Sequence, residues 1–161
     1  MNISDCMKTP VYTIQADGIL QDAMEKMAEH LVGTMPVVDT DNHLVGMILL
    51  DDILTLFMPH FVEMLRSADF IHDYSFLKIG HEKVHLGQRP VTEIMQKPYS
   101  IQHDAELMEA MVLMHKHQVG ELPVLDDEKR VIAIVSRGRV GSLFLDDWLN
   151  HLKSELKNSK D

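Results

Sequence analysis

The chain has 161 residues, 45% of them apolar, enough for one compact domain or two small ones packed intimately around a buried core. Acidic residues outnumber basic ones 25 to 15, so the mean surface field repels phosphate backbones and anionic lipid, which excludes nucleic acid and membrane as expected partners. The single cysteine, Cys6, rules out an internal disulfide; the start lacks a secretory apolar run, no stretch approaches the ~20 residues a bilayer requires, and a reduced, cytoplasmic protein is expected.

In chain order, a short opening motif, "DCMKTPVYTI", leads into a strand. Leu20, Ala23, Met24 and Met27 then stand at helical spacing, with Asp17 ahead of them to cap free N–H groups and Gly33 behind them where a helix commonly stops. His30 falls in the last turn, where a helix-end contact suffices to explain it. A Pro-containing strand, "MPVV", a polar turn from Asp39 to His43 and a second apolar run, "LVGMILL", suit a hairpin, and a further helix starts at Asp51.

Residues 58–90 are longer than an ordinary connection. Phe61, Met64, Leu65 and Ala68 form a helical stripe after Pro59, and Phe70, Ile71, Tyr74, Phe76 and Leu77 add an aromatic-rich cluster. A free tether would be rich in Gly or Ser, so this half is expected to pack on the fold, within a dimer or against a partner. The rest, "GHEKVHLGQRP", reads as a polar, mobile loop.

From "EIMQKPYSI" onward the series begins again. "IQADGILQDAMEKMAEHLVGTMPVVD" (14–39) aligns with "IQHDAELMEAMVLMHKHQVGELPVLD" (101–126), and half of the positions are identical. This is an internal duplication. Leu107, Ala110, Met111 and Met114 repeat the first stripe, Asp104, His117 and Gly120 repeat its flanks, and "LPVL", a turn from Asp126 to Arg130 and "VIAIVS" repeat the strands. The last helix, from near Arg137, carries Val140, Leu143, Phe144, Trp148, Leu149 and Leu152, and "KSELKNSKD" reads as a polar tail. Each copy is thus strand, helix, strand, strand, helix.

Reactive chemistry is weakly signalled. His81 and His85, with His72, Asp73 and Glu82 nearby, fall short of the convergent ligand sets of zinc sites, so no metal is expected. The twelve methionines suit core filling, and the paired acids Asp51–Asp52, Asp126–Asp127 and Asp146–Asp147 suit turns and helix starts. There is no nucleophile elbow and no phosphate loop, and Cys6 has no activating neighbour in sequence; no catalytic residue and no enzyme activity are expected.

The element order, with Met-x-x-Pro at the start, Gly-x-x-Pro-Val-x-Asp at the first strand of the hairpin and Gly-hydrophobic-hydrophobic at the second, resembles the cystathionine beta-synthase (CBS) domain. Residues 3–57 resemble one copy and residues 91–145 another. The resemblance implies a mixed α/β (α+β) fold, two tandem repeats packed as a pseudo-twofold Bateman module, with a first repeat at 1–57, an insert at 58–90, a second repeat at 91–150 and a tail at 151–161. It further implies a stand-alone regulatory protein, a homodimer that senses a small anionic metabolite and signals to a separate effector. No cofactor is required; an adenine nucleotide or S-adenosylmethionine is the implied regulatory ligand. The alternative is a ligand-free scaffold that docks a partner through the insert.

In members that bind adenosine derivatives, the second hairpin strand ends in Gly-hydrophobic-hydrophobic-Thr/Ser-x-x-Asp, whose hydroxyl and carboxylate sit beside ribose and phosphate. Here the first copy reads "GMILLDD", with Leu49 in the hydroxyl place and Asp52 in the carboxylate place. The second reads "AIVSRGR", with Ser136 in the hydroxyl place and Arg139 in the carboxylate place. Adenine-side contacts carry over to Tyr12, Thr13, Thr34 and Met35 in the first copy and to Tyr99, Ser100, Glu121 and Leu122 in the second. A carboxylate at Glu121 opposes phosphate, whereas Arg137 and Arg139 at a helix start favour an anion. The resemblance therefore implies one asymmetric, arginine-bearing cleft, with Arg139 otherwise left to pair with an acid such as Glu128.

Overall fold

β-branched and aliphatic residues flanking one amphipathic helix build the same small sheet twice. The computed structural model describes residues 1–57 and 81–158. In the first copy β1 (Ile14–Gln15), α1 (Leu20–His30), β2 (Thr34–Val38), β3 (Leu44–Leu49) and α2 (Leu50–Phe57) follow in order. The second copy gives β4 (Ile101–Gln102), α3 (Leu107–His117), β5 (Glu121–Leu125), β6 (Val131–Ser136) and α4 (Arg137–Asn158). The architecture is mixed α+β, as the residue pattern implies, with sheet orders β1-β2-β3 and β4-β5-β6.

Strands β1 and β2 run parallel, Ile14 opposite Val37 and Gln15 opposite Val38, and β4 and β5 repeat this with Ile101 opposite Val124 and Gln102 opposite Leu125. A parallel pair needs a crossover, which α1 and α3 supply. Strand β6 pairs antiparallel with β5, Leu122 opposite Val135 and Glu121 opposite Ser136, and the register shifts between Val124 and Leu125. At the hairpin turns Asn42 and Lys129 share a positive φ, 66° and 63°.

The chain divides into two compact units whose membership cuts across the two copies: Thr13–Asp39 with Val45–Lys97, and Met1–Tyr12 with Thr40–Leu44 and Pro98–Asp161. In the first of these, Ile14, Leu20, Ala23, Met27, Val37, Met47 and Ile48 are buried, joined by Val91. In the second, Leu107, Ala110, Met114, Leu122, Val124, Val135 and Val140 are buried, joined by Ile3. Each copy's opening segment is therefore built into the unit that holds the other copy's sheet. Ile3 N–H donates to Ala105 O at 3.1 Å and Val91 N–H to Gly18 O at 3.0 Å. Lys8 and Ile134 exchange bonds of 2.7 and 3.1 Å, and Gln96 and Met47 exchange bonds of 2.8 and 3.2 Å.

Several local readings are corrected by this arrangement. Asp17 and Asp104 do not cap: the capping positions are Ile19 and Glu106, without side-chain cap bonds. Leu20 N–H instead reaches Arg89 O, and Leu107 N–H reaches Met1 O, so the opening segments serve as backbone caps. The helices stop in left-handed residues at Leu31 and Gln118, not at Gly33 or Gly120. Residues 81–88, which read as a mobile polar loop, form a 3-10 helix on α1, where Gln88 Nε2 donates to Gln21 Oε1 at 3.2 Å. Likewise α4 runs to Asn158 through much of the apparent polar tail. The stripe Phe61–Ala68, the cluster Phe70–Leu77 and the pair His72–Asp73 lie outside the described residues.

Candidate functional site

Each unit places one copy's motif residues at the end of a strand and the start of the following helix. In the unit with β1–β3, Leu49 ends β3 and Asp52 lies in the first turn of α2. Asp52 is engaged: Gln96 Nε2 donates to its two carboxylate oxygens at 2.8 and 2.7 Å. The backbone of Gln96 is fixed by its two bonds to Met47 in β3. Thr34 and Met35 open β2 and are buried, so their side chains belong to the core. Thr13 is half-buried and its carbonyl accepts Lys26 Nζ at 2.9 Å. The second side of α1, with α2, borders an apolar hollow of about 500 Å3 that includes Met24, Leu31, Leu54 and Phe57.

In the other unit Ser136 ends β6 and its hydroxyl oxygen accepts the backbone N–H of Arg139 at 3.4 Å, capping α4. The two arginines part company. Arg137 turns its guanidinium to the end of α3, where Nη2 donates to Val119 O at 2.8 Å and Met114 O at 3.3 Å, while its backbone N–H donates to Gly120 O. The guanidinium thus adds a donor where the chain leaves α3, Met114 O also accepting the N–H of Val119. Arg139 remains at the surface, with Nη1 donating to Met7 O at 3.4 Å. It lines a hollow of about 350 Å3 with Asp5, Cys6, Gly138, Ser142 and Leu143. Glu128 is not its partner, being paired with Arg130.

The remaining residues of the second copy disperse. The Tyr99 ring stacks on His117, centroids 3.8 Å apart and planes 19° from parallel. Ser100 faces a different hollow of about 360 Å3, with His43, Pro98 and Glu128 among its walls. Leu122 is fully buried in β5. Glu121 stands opposite Ser136 in the ladder, and among the described residues its Oε2 is buried without a hydrogen-bond partner. The structure thus groups Ser136 with Arg139 and sets Glu121 across the ladder, while Arg137, Tyr99, Ser100 and Leu122 serve elsewhere.

The opening segments are what sequence reasoning missed. Gln96 contacts Asp52, and Asp5, Cys6 and Met7 border Arg139, because each Met-x-x-Pro segment lies against the other copy's second hairpin strand. The signal was present as the repeated "CMK" and "IMQ" ahead of each proline, but their destination is a tertiary fact. Burial pushes the Cys6 thiol above its ordinary value, only partly opposed by the Arg139 charge, and Asp5 adds to the rise. The thiol is therefore not activated.

Comparison with known proteins agrees with this geometry. The family model described as CBS domain matches residues 3–59 and 91–142. CBS domain-containing protein YhcV of Bacillus subtilis is 30% identical over 138 residues, spanning 85% of this chain and 81% of that protein. Among solved structures, CBSX2 of Arabidopsis thaliana in complex with AMP superposes with a TM-score of 0.65 at 22% identity, covering 90% of this chain and 96% of that one. The CBS domain pair of protein MJ0100, in complex with 5'-methylthioadenosine and S-adenosyl-L-methionine, gives 0.66 at 21%, covering 91% and 98%. With both copies matched over most of its length, this chain belongs to the CBS-domain family and carries two CBS domains in tandem.

Proposed function

We propose that the protein is a regulatory CBS pair, not an enzyme, that binds a small anionic, adenosine-containing metabolite and transmits its presence to a separate effector. The observation that carries the reading is the β6–α4 junction, where the Arg139 guanidinium lines a hollow of about 350 Å3 with Cys6 and Ser142, and Ser136 caps the same helix. A guanidinium at a helix start attracts phosphate or carboxylate. The AMP, methylthioadenosine and S-adenosylmethionine of the solved CBS pairs support an adenosine-type ligand.

Calorimetric titration with AMP, ADP, ATP, S-adenosylmethionine and NADH tests the reading. One of these binds the wild type, and Arg139→Ala weakens it at least about tenfold, the value of one charge-assisted hydrogen bond. Silence across the panel at millimolar ligand overturns it.

The active form is a homodimer. On α4, Leu145, Trp148, Leu149, Leu152 and Leu156 recur at helical spacing and stand 38% to 57% exposed on the single chain. An apolar stripe of that length has a partner helix as its ordinary destination.

A further inference from the structure

We propose that Gln96 is a built-in partner of the Asp52 carboxylate and thereby sets what that carboxylate accepts; this deepens the ligand-sensing reading and rests on it. The carboxylate of Asp52 stands in the family place that receives a ligand's hydroxyls, and both of its oxygens lie within 2.8 Å of one amide nitrogen. A carboxylate–amide contact of this kind is charge-assisted and replaces water or ligand donors at the same lone pairs. The amide springs from a fixed backbone and meets Asp52 at the surface. Gln96 is held on β3 by bonds in both directions to Met47, and the neighbouring Met95 packs against Gly46, where an added Cβ would meet its sulfur.

The other unit has the same backbone arrangement with the opposite chemistry. Lys8, in the place of Gln96, is bonded both ways to Ile134, and Arg139 stands in the place of Asp52. An amide faces an acid in one unit; two cations share the same positions in the other. The opening residue and the helix-start residue therefore act as matched pairs. One pair satisfies itself internally. The other pair attracts an external anion. A ligand presenting vicinal hydroxyls, such as a ribose, reaches Asp52 only by exchanging with the Gln96 amide, so the two sites fill at different concentrations.

Titration with AMP in an Arg139→Ala background, which leaves the Asp52 site alone, tests this. Arg139→Ala/Gln96→Ala binds AMP about two- to tenfold tighter than Arg139→Ala, the net worth of a hydrogen bond no longer displaced, and adding Asp52→Asn removes the gain. Thermal melting of each variant establishes that it is folded. Equal or weaker binding after Gln96→Ala overturns the inference. If the wild type still binds AMP in an Arg139-dependent way, only the role of Gln96 falls; if neither wild type nor any variant binds AMP, the sensing of that nucleotide falls with it.

Discussion

Arg137 and Arg139 show how two residues of one type, two positions apart, acquire unrelated work. Successive helix positions face different directions, so residue 137 meets the carbonyls that end α3 while residue 139 stays at the hollow. Arg137→Ala should lower stability by about 1 kcal/mol, read as a shift of the urea midpoint, and leave ligand affinity unchanged. Arg139→Ala should do the reverse. The sequence marked both as anion-binding candidates because charge and position are legible, but that Arg137 turns to Val119 O and Met114 O while Arg139 meets Met7 O depends on where α3 and the opening segment lie.

Another residue-scale consequence concerns pH. Burial raises the affinity of the Asp126 carboxylate for its proton, but the backbone N–H and guanidinium of Arg130 outweigh that and hold it below its ordinary 3.8. A carboxyl depressed in the fold stabilises the protein above its unfolded value and loses that contribution as pH falls through the folded one. Stability should therefore decline below about pH 4, and Arg130→Ala should flatten that acid limb in melts from pH 5 to 2.5.

At the scale of elements, the helices and strands of both copies were legible because period and duplication agree: Leu20, Ala23 and Met27 are buried, as are Leu107, Ala110 and Met114. The helix boundaries were less so. Asp17 and Asp104 are good local caps, yet a carbonyl from a segment remote in sequence takes the first N–H, and local propensity yields to that tertiary bond. The short opening segment thus has weight beyond its length. Ile3 is fully buried though it lies in a three-residue turn. Ile3→Ala should cost about 2–4 kcal/mol in chemical denaturation, the usual range for emptying a core isoleucine, whereas Met1→Ala should cost little. The candidate site was half legible for the same reason: the strand-end residues follow from the motif, but Gln96 enters through an arrangement that no periodicity encodes.

For the molecule as a whole, net charge and exposed surface pull in different directions. A formal charge of −10 keeps like molecules apart and slows the approach of an anionic ligand. The apolar stripe of α4 works against that repulsion, and self-association should strengthen with added salt as the repulsion is screened. Trp148→Glu places a charge in the middle of the stripe and should convert the proposed dimer to monomer in light scattering coupled to size exclusion, with little change in helix content. An unchanged mass would show that α4 is not the contact. Among the described residues no helix is long and apolar enough to cross a membrane, so the stripe is not a span.

The exchange of opening segments also bears on how the chain comes into being. The bonds that Ile3 and Lys8 make to Ala105 and Ile134 form only once the later segment exists, so residues 1–12 wait for residues 98–140. A polypeptide of the first copy alone would carry an orphaned leader and lack the one its own sheet uses. Severing the chain within residues 58–80 should therefore give two halves that are each poorly folded alone and regain structure on mixing, recognising each other through the leaders they have traded.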